Sequence, residues 1–337
     1  MNNTKISIIA EIGVNHNGSF RLAKKLIDGA VKSGADYVKF QTYVTDELIT
    51  KQAELAPYQK KFISHNNQYK MLKKYELKFS EHYKLYEYCK KKIKYLSSPF
   101  DLKSAKFLVE ILKLKIIKVP SGEITNYFLL DYLSKKKIKI ILSTGASSIK
   151  DIRRSIAILK RNKFNMKNLI IFHCNSAYPT PYKDVNLKFL NSIKKIFKTS
   201  VGYSDHTLGL ITPILAYFLE AEYVEKHITL NKNLPGPDHK SSLDIDEFST
   251  MVKYLRNINV ILGKNKKIIT SSEKKNQSFI RKYLVAKKNI FKNEQFNFEN
   301  LTSKRTGLKQ GLSPIRFIKV KGKKSRFNFL KNDLIRL

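Results

Sequence analysis

The sequence contains little cysteine, no tryptophan and no long hydrophobic run. Of its 337 residues, two are cysteines (Cys89 and Cys174) and none is tryptophan. Two cysteines are too few for a disulfide framework, so we expect both thiols to be reduced and buried. The longest dense apolar stretch, LITPILAYFL from residue 210, is about half the length of a membrane-spanning helix. These absences exclude a small disulfide-stapled fold and argue against a membrane protein.

The first residues do not have the layout of a signal peptide. The apolar run ISIIA is interrupted by Glu11 within a few residues, whereas a signal peptide carries about 7–15 apolar residues in a row. With 42% hydrophobic residues, a chain of this length can bury a full-sized core. We therefore expect a soluble cytoplasmic protein with one large domain, one small domain and no membrane partner.

Acidic residues are scarce relative to basic ones. There are 27 Asp and Glu against 65 Lys and Arg, which gives a net charge of +38. Only ten of the basic residues are arginine, although bidentate contacts with bases and phosphates favour arginine over lysine. The lysines are spread along the whole chain. We therefore expect no nucleic-acid partner, and a non-catalytic basic binding module remains the alternative from a different functional class.

Short apolar runs alternate with segments of helical spacing over most of the chain. Eight such strand–helix units in about 260 residues match an α/β fold of the (β/α)8 TIM-barrel type, and near-continuous apolar runs suit strands buried on both faces. We predict this barrel over residues 1–262, and an open doubly wound sheet remains the alternative. The predicted strands are 6–12, 37–43, 95–98, 116–120, 139–144, 169–174, 200–204 and 223–229.

Two regions fall outside this pattern. Residues 44–82 form an insertion after the second strand, with helical spacing in NQYKMLKKYEL, and insertions at that end of a barrel often cover the active site. From residue 263 the composition becomes polar and rich in Lys and Ser, which predicts a linker over 263–280. Residues 281–337 then form a small domain of strands and loops. Its strand-like runs are 282–288, 314–320 and 333–337.

Polar side chains follow nearly every predicted strand. In a barrel these positions lie at one end, where active sites are found. His206 and His227 end the seventh and eighth strands, which are neighbours, so both imidazoles can reach one cation. Two histidines with open positions suit Mn²⁺, Zn²⁺, Fe²⁺ or Co²⁺. The alternative is that each histidine only bonds a neighbouring loop.

Lysines and hydroxyls at the same strand ends predict an anion site. Lys39 and Lys118 are held at strand ends, where backbone N–H groups of helix starts would add to them in binding a phosphate or carboxylate. The alternative for each lysine is a stem packed on apolar neighbours. Glu11 and Glu123 would transfer protons or neutralise the lysines. The hydroxyls are those of Ser121, Ser143, Thr144 and Ser204.

These residues lie in motifs that resemble those of the sialic acid synthase family. In chain order the motifs read AEIGVNHNG, KFQTY, SSPFD, KVPSGEI, LSTGAS, HCNSAYPTP, GYSDHT, EKHIT and GPDHKSSL. The tail NLTSKRTGLKQGLSP is similar to the C-terminal antifreeze-like domain (SAF, β-clip type) of that family. The resemblance covers nearly the whole chain and implies a TIM barrel followed by this domain.

The resemblance also implies a reaction. The C3 of phosphoenolpyruvate attacks the aldehyde carbon of an open-chain N-acetylmannosamine-type sugar, water attacks C2, and phosphate leaves with C–O cleavage. The product is a nine-carbon nonulosonic acid. We expect N-acetylneuraminate first. The alternative is N,N'-diacetyllegionaminate, formed from 2,4-diacetamido-2,4,6-trideoxymannose, because the insertion after the second strand looks more like that branch.

The family's functional residues carry over onto the matching positions. His206 and His227 would hold a divalent ion, with Mn²⁺ favoured over Mg²⁺ or Co²⁺, that polarises the aldehyde. Glu123 is the favoured acid/base, with Glu11 and Asp205 as further catalytic residues. Phosphoenolpyruvate would be bound by Lys39, Lys118, Ser98, Ser121, Ser143 and Ser204. The sugar would be contacted by Gln41, Tyr178, Asp238 and Arg305 as well as by the two glutamates.

Arg305 belongs to the small domain, which in this family caps the barrel of the other subunit in a domain-swapped homodimer. The chain departs from the family pattern in two places. It reads RTGLKQ where the family often has Arg-Pro-Gly and a shorter loop. Ser176 stands where sialic-acid members commonly carry Asn, which predicts a different sugar pocket.

Overall fold

The computed structural model describes residues 6–55, 67–307 and 310–337. The chain divides into two compact units, Met1–Leu262 and Gly263–Leu337. Within the described residues, no helix is both long enough and apolar enough to cross a membrane.

The first unit is built around an eight-stranded parallel sheet. Its strands are β1 (Ser7–Gly13), β2 (Tyr37–Thr42), β3 (Lys94–Pro99), β4 (Ile116–Val119), β5 (Lys139–Ser143), β6 (Leu169–Cys174), β7 (Ser200–Asp205) and β8 (Tyr223–His227). Ladder pairing connects them in the order β3-β2-β1-β8-β7-β6-β5-β4. β3 and β4, at the two ends of that order, also lie in contact. The sheet therefore closes on itself, which confirms the predicted (β/α)8 barrel and excludes the open sheet.

Helices follow the strands, and most of them cover the outside of the barrel. They are α1 (Phe20–Lys32), α2 (Thr45–Leu48), α3 (Gln68–Tyr75), α4 (Phe79–Cys89), α5 (Leu102–Lys106), α6 (Tyr127–Ser134), α7 (Ile149–Arg161), α8 (Phe189–Phe197), α9 (Ile211–Phe218) and α10 (Ile245–Leu262). A π-helical turn, Phe107–Ile111, continues α5. Short 3-10 turns lie at Ser121–Glu123, Met166–Asn168, Tyr182–Asp184 and His239–Ser241. Five helices of the first unit begin where a short polar side chain accepts a free backbone N–H, which is a strong helix-start signal. These side chains are Ser19, Asn67, Asp101, Asn126 and Ser148.

Apolar side chains fill both sides of the sheet. Successive strand residues point to opposite faces, so Ile8 packs in the large core towards the helices while Ile9 packs in a smaller cluster inside the barrel. The interior cluster consists of Ile9, Leu96, Ile141, Ile170 and Phe172. Ile9, Leu96, Ile141 and Phe172 each lie two residues before a polar or thiol residue near the strand's carboxyl end. The same alternation therefore supplies an apolar interior and a polar mouth.

Gly202 in β7 makes room for one member of this cluster. A Cβ at this position would lie 2.2 Å from Cε1 of Phe172. The ring that fills this space also supports the mouth, since Lys118 Nζ lies 4.7 Å from its centroid, a favourable cation–π distance.

We expect Gly202→Ala to destabilise the protein, because the added methyl group must displace the Phe172 ring in a close-packed interior. Overpacking of this kind costs about 1–3 kcal/mol. The matched control is Gly122→Ala, where a Cβ meets nothing within 4 Å, and we expect its unfolding free energy to change by no more than about 0.5 kcal/mol. Urea unfolding measures both variants, and equal losses would contradict this packing account.

The insertion after β2 contributes α2, α3 and a satellite cluster of apolar side chains. Leu55, Met71 and Tyr75 are buried there against Val14, which follows β1. The helical spacing predicted in this insertion corresponds to α3. Residues 56–66 lie outside the described part of the chain.

The second unit contains helix α11 (Ser271–Ile280), strands β9 (Tyr283–Ala286) and β10 (Leu301–Lys304), and helix α12 (Phe317–Val320). β9 and β10 pair antiparallel, and Leu334 adds an isolated antiparallel bridge to Val285. Helix α11 lies inside the predicted linker, 263–280, so part of that linker is helical. The strand predicted over 314–320 is wrong: a 3-10 turn, Pro314–Arg316, leads into α12, because proline suits the first turn of a helix. A small core holds this unit together: Leu284, Ala286, Ile290, Phe296, Leu301, Val320, Phe329 and Ile335.

Candidate active site

A cavity of about 390 Å³ opens at the carboxyl ends of the barrel strands. Every strand contributes a lining residue, in chain order Glu11, Lys39, Ser98, Lys118, Ser143, Cys174, Ser204 and Glu225. Gln41, Ser121, Tyr178, His206, His227 and Asp238 also line it. The structure thus brings together twelve of the residues that the sequence placed in the site, in the part of a barrel where active sites form.

Glu225 is the centre of the charge network in this cavity. Both of its carboxylate oxygens lie 2.9 Å from Lys118 Nζ, and Oε1 lies 3.4 Å from Lys39 Nζ. The Ser204 hydroxyl donates to the same oxygen at 2.8 Å. Lys39 Nζ also lies 3.0 Å from Glu11 Oε2. All these side chains are buried, so one shared carboxylate fixes two lysines that come from different strands, β2 and β4.

Burial and pairing act in opposite directions on the pKa values of these groups. Burial raises the pKa of Glu225, but Lys118 and Lys39 outweigh it and hold that pKa below its usual range. Burial lowers the pKa of Lys39, and Glu11 and Glu225 more than restore it. Burial raises the pKa of Glu11 to about 7, with Lys39 opposing the shift. Burial alone raises the pKa of Asp238 to about 7. Glu225 is therefore the permanent anion, while Glu11 and Asp238 can each hold a proton near neutrality.

Sequence reasoning missed Glu225 and Cys174. The signal that could have found Glu225 is its spacing: it lies two residues before His227, and residues two apart on a strand share a face. Cys174 Sγ lies 3.1 Å from Ser121 Oγ and 3.5 Å from Ser143 Oγ, in the hydroxyl group that lines one wall. The Ser121 hydroxyl also accepts the Gly145 N–H at 2.9 Å.

The two histidines have free or lightly bonded nitrogens that face the cavity. His206 Nδ1 lies 2.5 Å from the carbonyl oxygen of Asn175 and donates to it, which leaves Nε2 as the acceptor, 3.1 Å from the Tyr178 hydroxyl. His227 Nδ1 is buried without a hydrogen-bond partner among the described residues. It lies 3.9 Å from Asp238 Oδ2. Burial lowers the pKa of His206 to about 4 and that of His227 well below its usual value, so both rings are neutral.

Neutral imidazoles are the form that binds metal ions. The ring centroids of His206 and His227 are 5.6 Å apart, and the carbonyl bond to His206 is the kind of contact that orients a metal-binding histidine. The residues therefore fit two ligands of a catalytic divalent ion. No group of three or more His, Cys, Asp or Glu side chains is assembled as a metal site within the residues that the structure describes.

Three predicted site residues of the first unit, Asp205, Thr144 and Glu123, lie outside the cavity lining. Asp205 points to the other face of β7, where Lys226 Nζ lies 2.5 Å from its Oδ2 and the hydroxyls of Tyr203 and Thr212 donate to it. Thr144 donates to the Phe172 carbonyl and does not line the cavity.

Glu123 also lies outside the cavity lining. Its Oε2 accepts a 2.6 Å hydrogen bond from Asn126 Nδ2, although burial raises its pKa. Arg305 follows β10 in the second unit and is exposed. The next residues of its loop, 308 and 309, are outside the described chain.

One wall of the cavity is mostly apolar, with Gln68 of α3 as its amide side chain. Leu48 and Ile49 line it at the end of α2, and Met71, Leu72 and Tyr75 line it from α3. This wall comes from the insertion after β2, far in sequence from most of the charged strand ends. A ligand that fills the cavity therefore meets cations and hydroxyls on one side and an apolar surface on the other.

Comparison with known proteins agrees with this arrangement. The NeuB family model matches residues 26–267. The N,N'-diacetyllegionaminic acid synthase of Campylobacter jejuni is 45% identical, over 98% of this chain and 99% of that protein. The chain belongs to the NeuB family of sialic acid and related nonulosonic acid synthases.

Other NeuB family proteins give the same assignment at lower identity. The N,N'-diacetyllegionaminic acid synthase of Legionella pneumophila is 39% identical over 95% of this chain and 90% of that protein. The crystal structure of N-acetylneuraminic acid synthetase from Leptospira borgpetersenii superimposes with a TM-score of 0.69 and 32% identity, and covers 82% of this chain and 92% of that one. The resemblance found in the motifs is therefore confirmed over nearly the full length of the chain.

Two substitutions in this NeuB-family site separate anion binding from packing. Each new side chain is similar in size to the one it replaces. We expect Lys118→Met to weaken binding of inorganic phosphate by about tenfold or more, because a charge-assisted hydrogen bond is lost. Glu225→Gln removes the competing carboxylate, so phosphate should bind at least as tightly as in the wild type. The same change should lower the unfolding free energy by about 3 kcal/mol, since two buried lysines lose their partner. Calorimetric titration and urea unfolding measure both effects. Equal weakening of phosphate binding by the two variants would show that the network is only structural.

Proposed function

We propose that the protein is a transferase that condenses phosphoenolpyruvate with 2,4-diacetamido-2,4,6-trideoxymannose to give N,N'-diacetyllegionaminate and phosphate. The observation that carries this proposal is a closed ring of strand ends with two buried lysines and a row of hydroxyls, in a chain 45% identical to a protein named for that product. The N-acetylneuraminate reaction, which the motifs favoured first, is the second candidate, supported by the 32% identical Leptospira structure.

Lys39 and Lys118 would bind the phosphate and carboxylate of phosphoenolpyruvate. Their ammonium groups are already held by Glu225, so they need no reorganisation when the anion enters. The hydroxyls around them would complete the site and stabilise charge as phosphate leaves. These are Ser98, Ser121, Ser143 and Ser204.

The sugar would lie between these groups and the apolar wall. Gln41, Tyr178 and Asp238 offer amide, hydroxyl and carboxyl groups to its oxygens. The apolar wall suits the 6-methyl group and acetamido methyl groups of the trideoxy sugar better than the 6-hydroxyl group of N-acetylmannosamine, because an unpaired hydroxyl loses its hydrogen bonds to water.

Glu11 takes the place of Glu123 as the proposed acid/base. C–C bond formation places a negative charge on the former aldehyde oxygen, which must gain a proton, and the water that attacks C2 must lose one. Glu11 lines the cavity beside Lys39 with a pKa of about 7, which is suited to both transfers. Glu123 is held by Asn126 outside the cavity lining.

A divalent ion, with Mn²⁺ favoured over Mg²⁺ or Co²⁺, would be held by His206 and His227 and would, when bound, supply Lewis-acid polarisation of the sugar carbonyl. The support is the orphaned Nδ1 of buried His227 and the neutral His206 oriented by the Asn175 carbonyl.

The second unit is proposed to be an antifreeze-like domain that caps the barrel of a partner subunit. Its antiparallel pair, β9 and β10, and its own apolar core agree with a small independent β domain. Arg305 lies directly after β10 and would contact an acyl group of the sugar. The donors of a guanidinium group are fixed in one plane, which suits hydrogen bonds to an acyl carbonyl.

Product mass tests the proposed reaction directly. Purified protein is incubated with phosphoenolpyruvate, Mn²⁺ and each of the two sugars, and phosphate release is measured with the mass of the product. We expect the trideoxy sugar to be used with the higher kcat/KM. Leu72→Gln should reduce that preference by about tenfold or more, because a polar group replaces part of the apolar wall. Better turnover of N-acetylmannosamine by the wild type would reverse the choice of sugar, and no phosphate release with either sugar would overturn the function.

Removal of metal tests the histidine pair. We expect chelation to abolish turnover and Mn²⁺ to restore it. His206→Ala should lose both bound metal, measured by elemental analysis, and activity, while its thermal unfolding remains cooperative. Full turnover in excess chelator with no metal bound would exclude the ion.

Mixing two impaired variants tests whether each site is shared between two subunits. His206→Ala and Arg305→Ala are combined under conditions of proven subunit exchange. If Arg305 acts on the partner's barrel, one site of each mixed dimer carries both defects and the other carries none, so activity returns. Arg305→Ala alone should weaken use of the sugar by about 1.5–3 kcal/mol with phosphoenolpyruvate affinity unchanged. No recovery would mean that each tail serves its own barrel.

A further inference from the structure

A second cavity lies at the opposite end of the barrel, where the strands begin. Its volume is about 820 Å³, and its floor is formed by the half-buried side chains of Tyr37, Ile116 and Tyr223. These three pack against the apolar cluster inside the barrel. The cavity is therefore separated from the candidate active site by the packed interior, and none of the residues assigned to that site lines it.

The lining of this cavity is strongly basic. Six lysines line it against a single carboxylate: Lys90, Lys91, Lys92, Lys94, Lys115 and Lys139. That carboxylate, Asp36, is already engaged, because its Oδ2 lies 2.5 Å from Arg256 Nη2 and accepts the Ile8 N–H at 2.8 Å. Lys90 and Lys92 are paired with Glu87 and Asp28, which lie outside the lining, so the excess of positive charge comes from the other lysines.

Three of these lysines are adjacent at the rim. Lys94 and Lys139 begin β3 and β5, and Lys115 directly precedes β4. The Lys139 N–H donates to the Lys115 carbonyl at 2.8 Å, and neighbouring strands are about 4.8 Å apart. Within the described residues, none of these three side chains forms an ion pair. Lys94 Nζ instead lies 5.1 Å from the Tyr37 ring centroid.

The chain builds this rim with a repeated sequence. Residues 90–94 and 135–139 both read KKKIK. The isoleucine of each copy is buried, and the last lysine of each begins a strand. One or two cations per helix end would be enough to complement the dipole of the preceding helix. Lys94 and Lys139, which belong to the following strands, are outside that role.

We propose that this cavity binds a nucleoside di- or triphosphate. Its volume lies in the range of small-ligand sites. A concave surface of this size suits a small ligand better than a long polymer. Lys94, Lys115 and Lys139 stand at neighbouring strand starts, and together they offer enough positive charge for a chain of two or three phosphates. The half-buried rings of Tyr37 and Tyr223 add aromatic surface to the floor for a planar base. Tyr37, Ile116 and Tyr223 each lie two residues before Lys39, Lys118 or Glu225 on the same strand, so the apolar cluster inside the barrel lies between the occupant and the charge network.

Calorimetric titration with ATP and with inorganic tripolyphosphate, both without divalent ions, tests this site. We expect ATP to bind one-to-one and more tightly than tripolyphosphate. Lys115→Gln/Lys139→Gln should weaken ATP binding by about tenfold or more. The control Lys150→Gln/Lys253→Gln removes the same charge from exposed positions outside both cavities and should change it by less than about twofold. Tyr223→Leu should reduce the ratio of ATP to tripolyphosphate affinity, a ratio that is insensitive to partial loss of folded protein.

Four results would overturn the proposal. Equal weakening in both lysine pairs would mean that ATP responds to net charge alone. If Lys115→Gln/Lys139→Gln leaves the affinity for ATP unchanged, ATP binds at another place on the protein. If ATP does not bind at millimolar concentration, the cavity does not take this ligand. Tighter binding of a single-stranded oligonucleotide than of ATP, with the same sensitivity to the rim lysines, would make the surface a nucleic-acid site. The test uses no sugar and no turnover, so its failure is independent of the proposed reaction.

Discussion

One buried carboxylate, Glu225, holds two buried lysines at the mouth of the barrel. Buried charges are costly unless they are paired in good geometry, and these three come from β2, β4 and β8, which meet only across a closed barrel. A slip of one residue in any of these strands would turn its charge towards the helices. The network and the closure of the barrel therefore depend on each other, and the position of every other polar group in the mouth follows from the same register.

The two ends of the barrel use lysine in different ways. At the carboxyl end Lys39 and Lys118 line the cavity, are paired and are nearly inaccessible, so their charge is kept from the surface. At the amino end Lys94, Lys115 and Lys139 are exposed and without an ion-pair partner in the described residues. Between the two ends lies the apolar cluster of Ile9, Leu96, Ile141, Ile170 and Phe172, which isolates one set of charges from the other. The net charge of +38 does not distinguish the buried, paired lysines from the exposed ones.

Alternation along the strands explains both the successes and the failures of prediction from sequence. It located the eight strands within one or two residues and gathered twelve site residues at one end. Applied strictly, it also places Glu225 inside with His227 and turns Asp205 outward between Ser204 and His206. The position of Glu123 could not be predicted this way, because it lies on a 3-10 turn beyond the strand. The apolar wall was equally hidden, since it depends on how α3 packs over a distant loop, and the proposed sugar preference rests on that wall.

The most direct test of this account is a crystal structure of the protein with phosphoenolpyruvate at saturating concentration. The account predicts that the ligand lies at the carboxyl end of the strands, with its phosphate and carboxylate oxygens within hydrogen-bond distance of Lys39 and Lys118 Nζ while Glu225 keeps both lysines in place. Phosphoenolpyruvate bound elsewhere, with the lysine pair still turned only to Glu225, would contradict the claim that this buried network is the anion receptor.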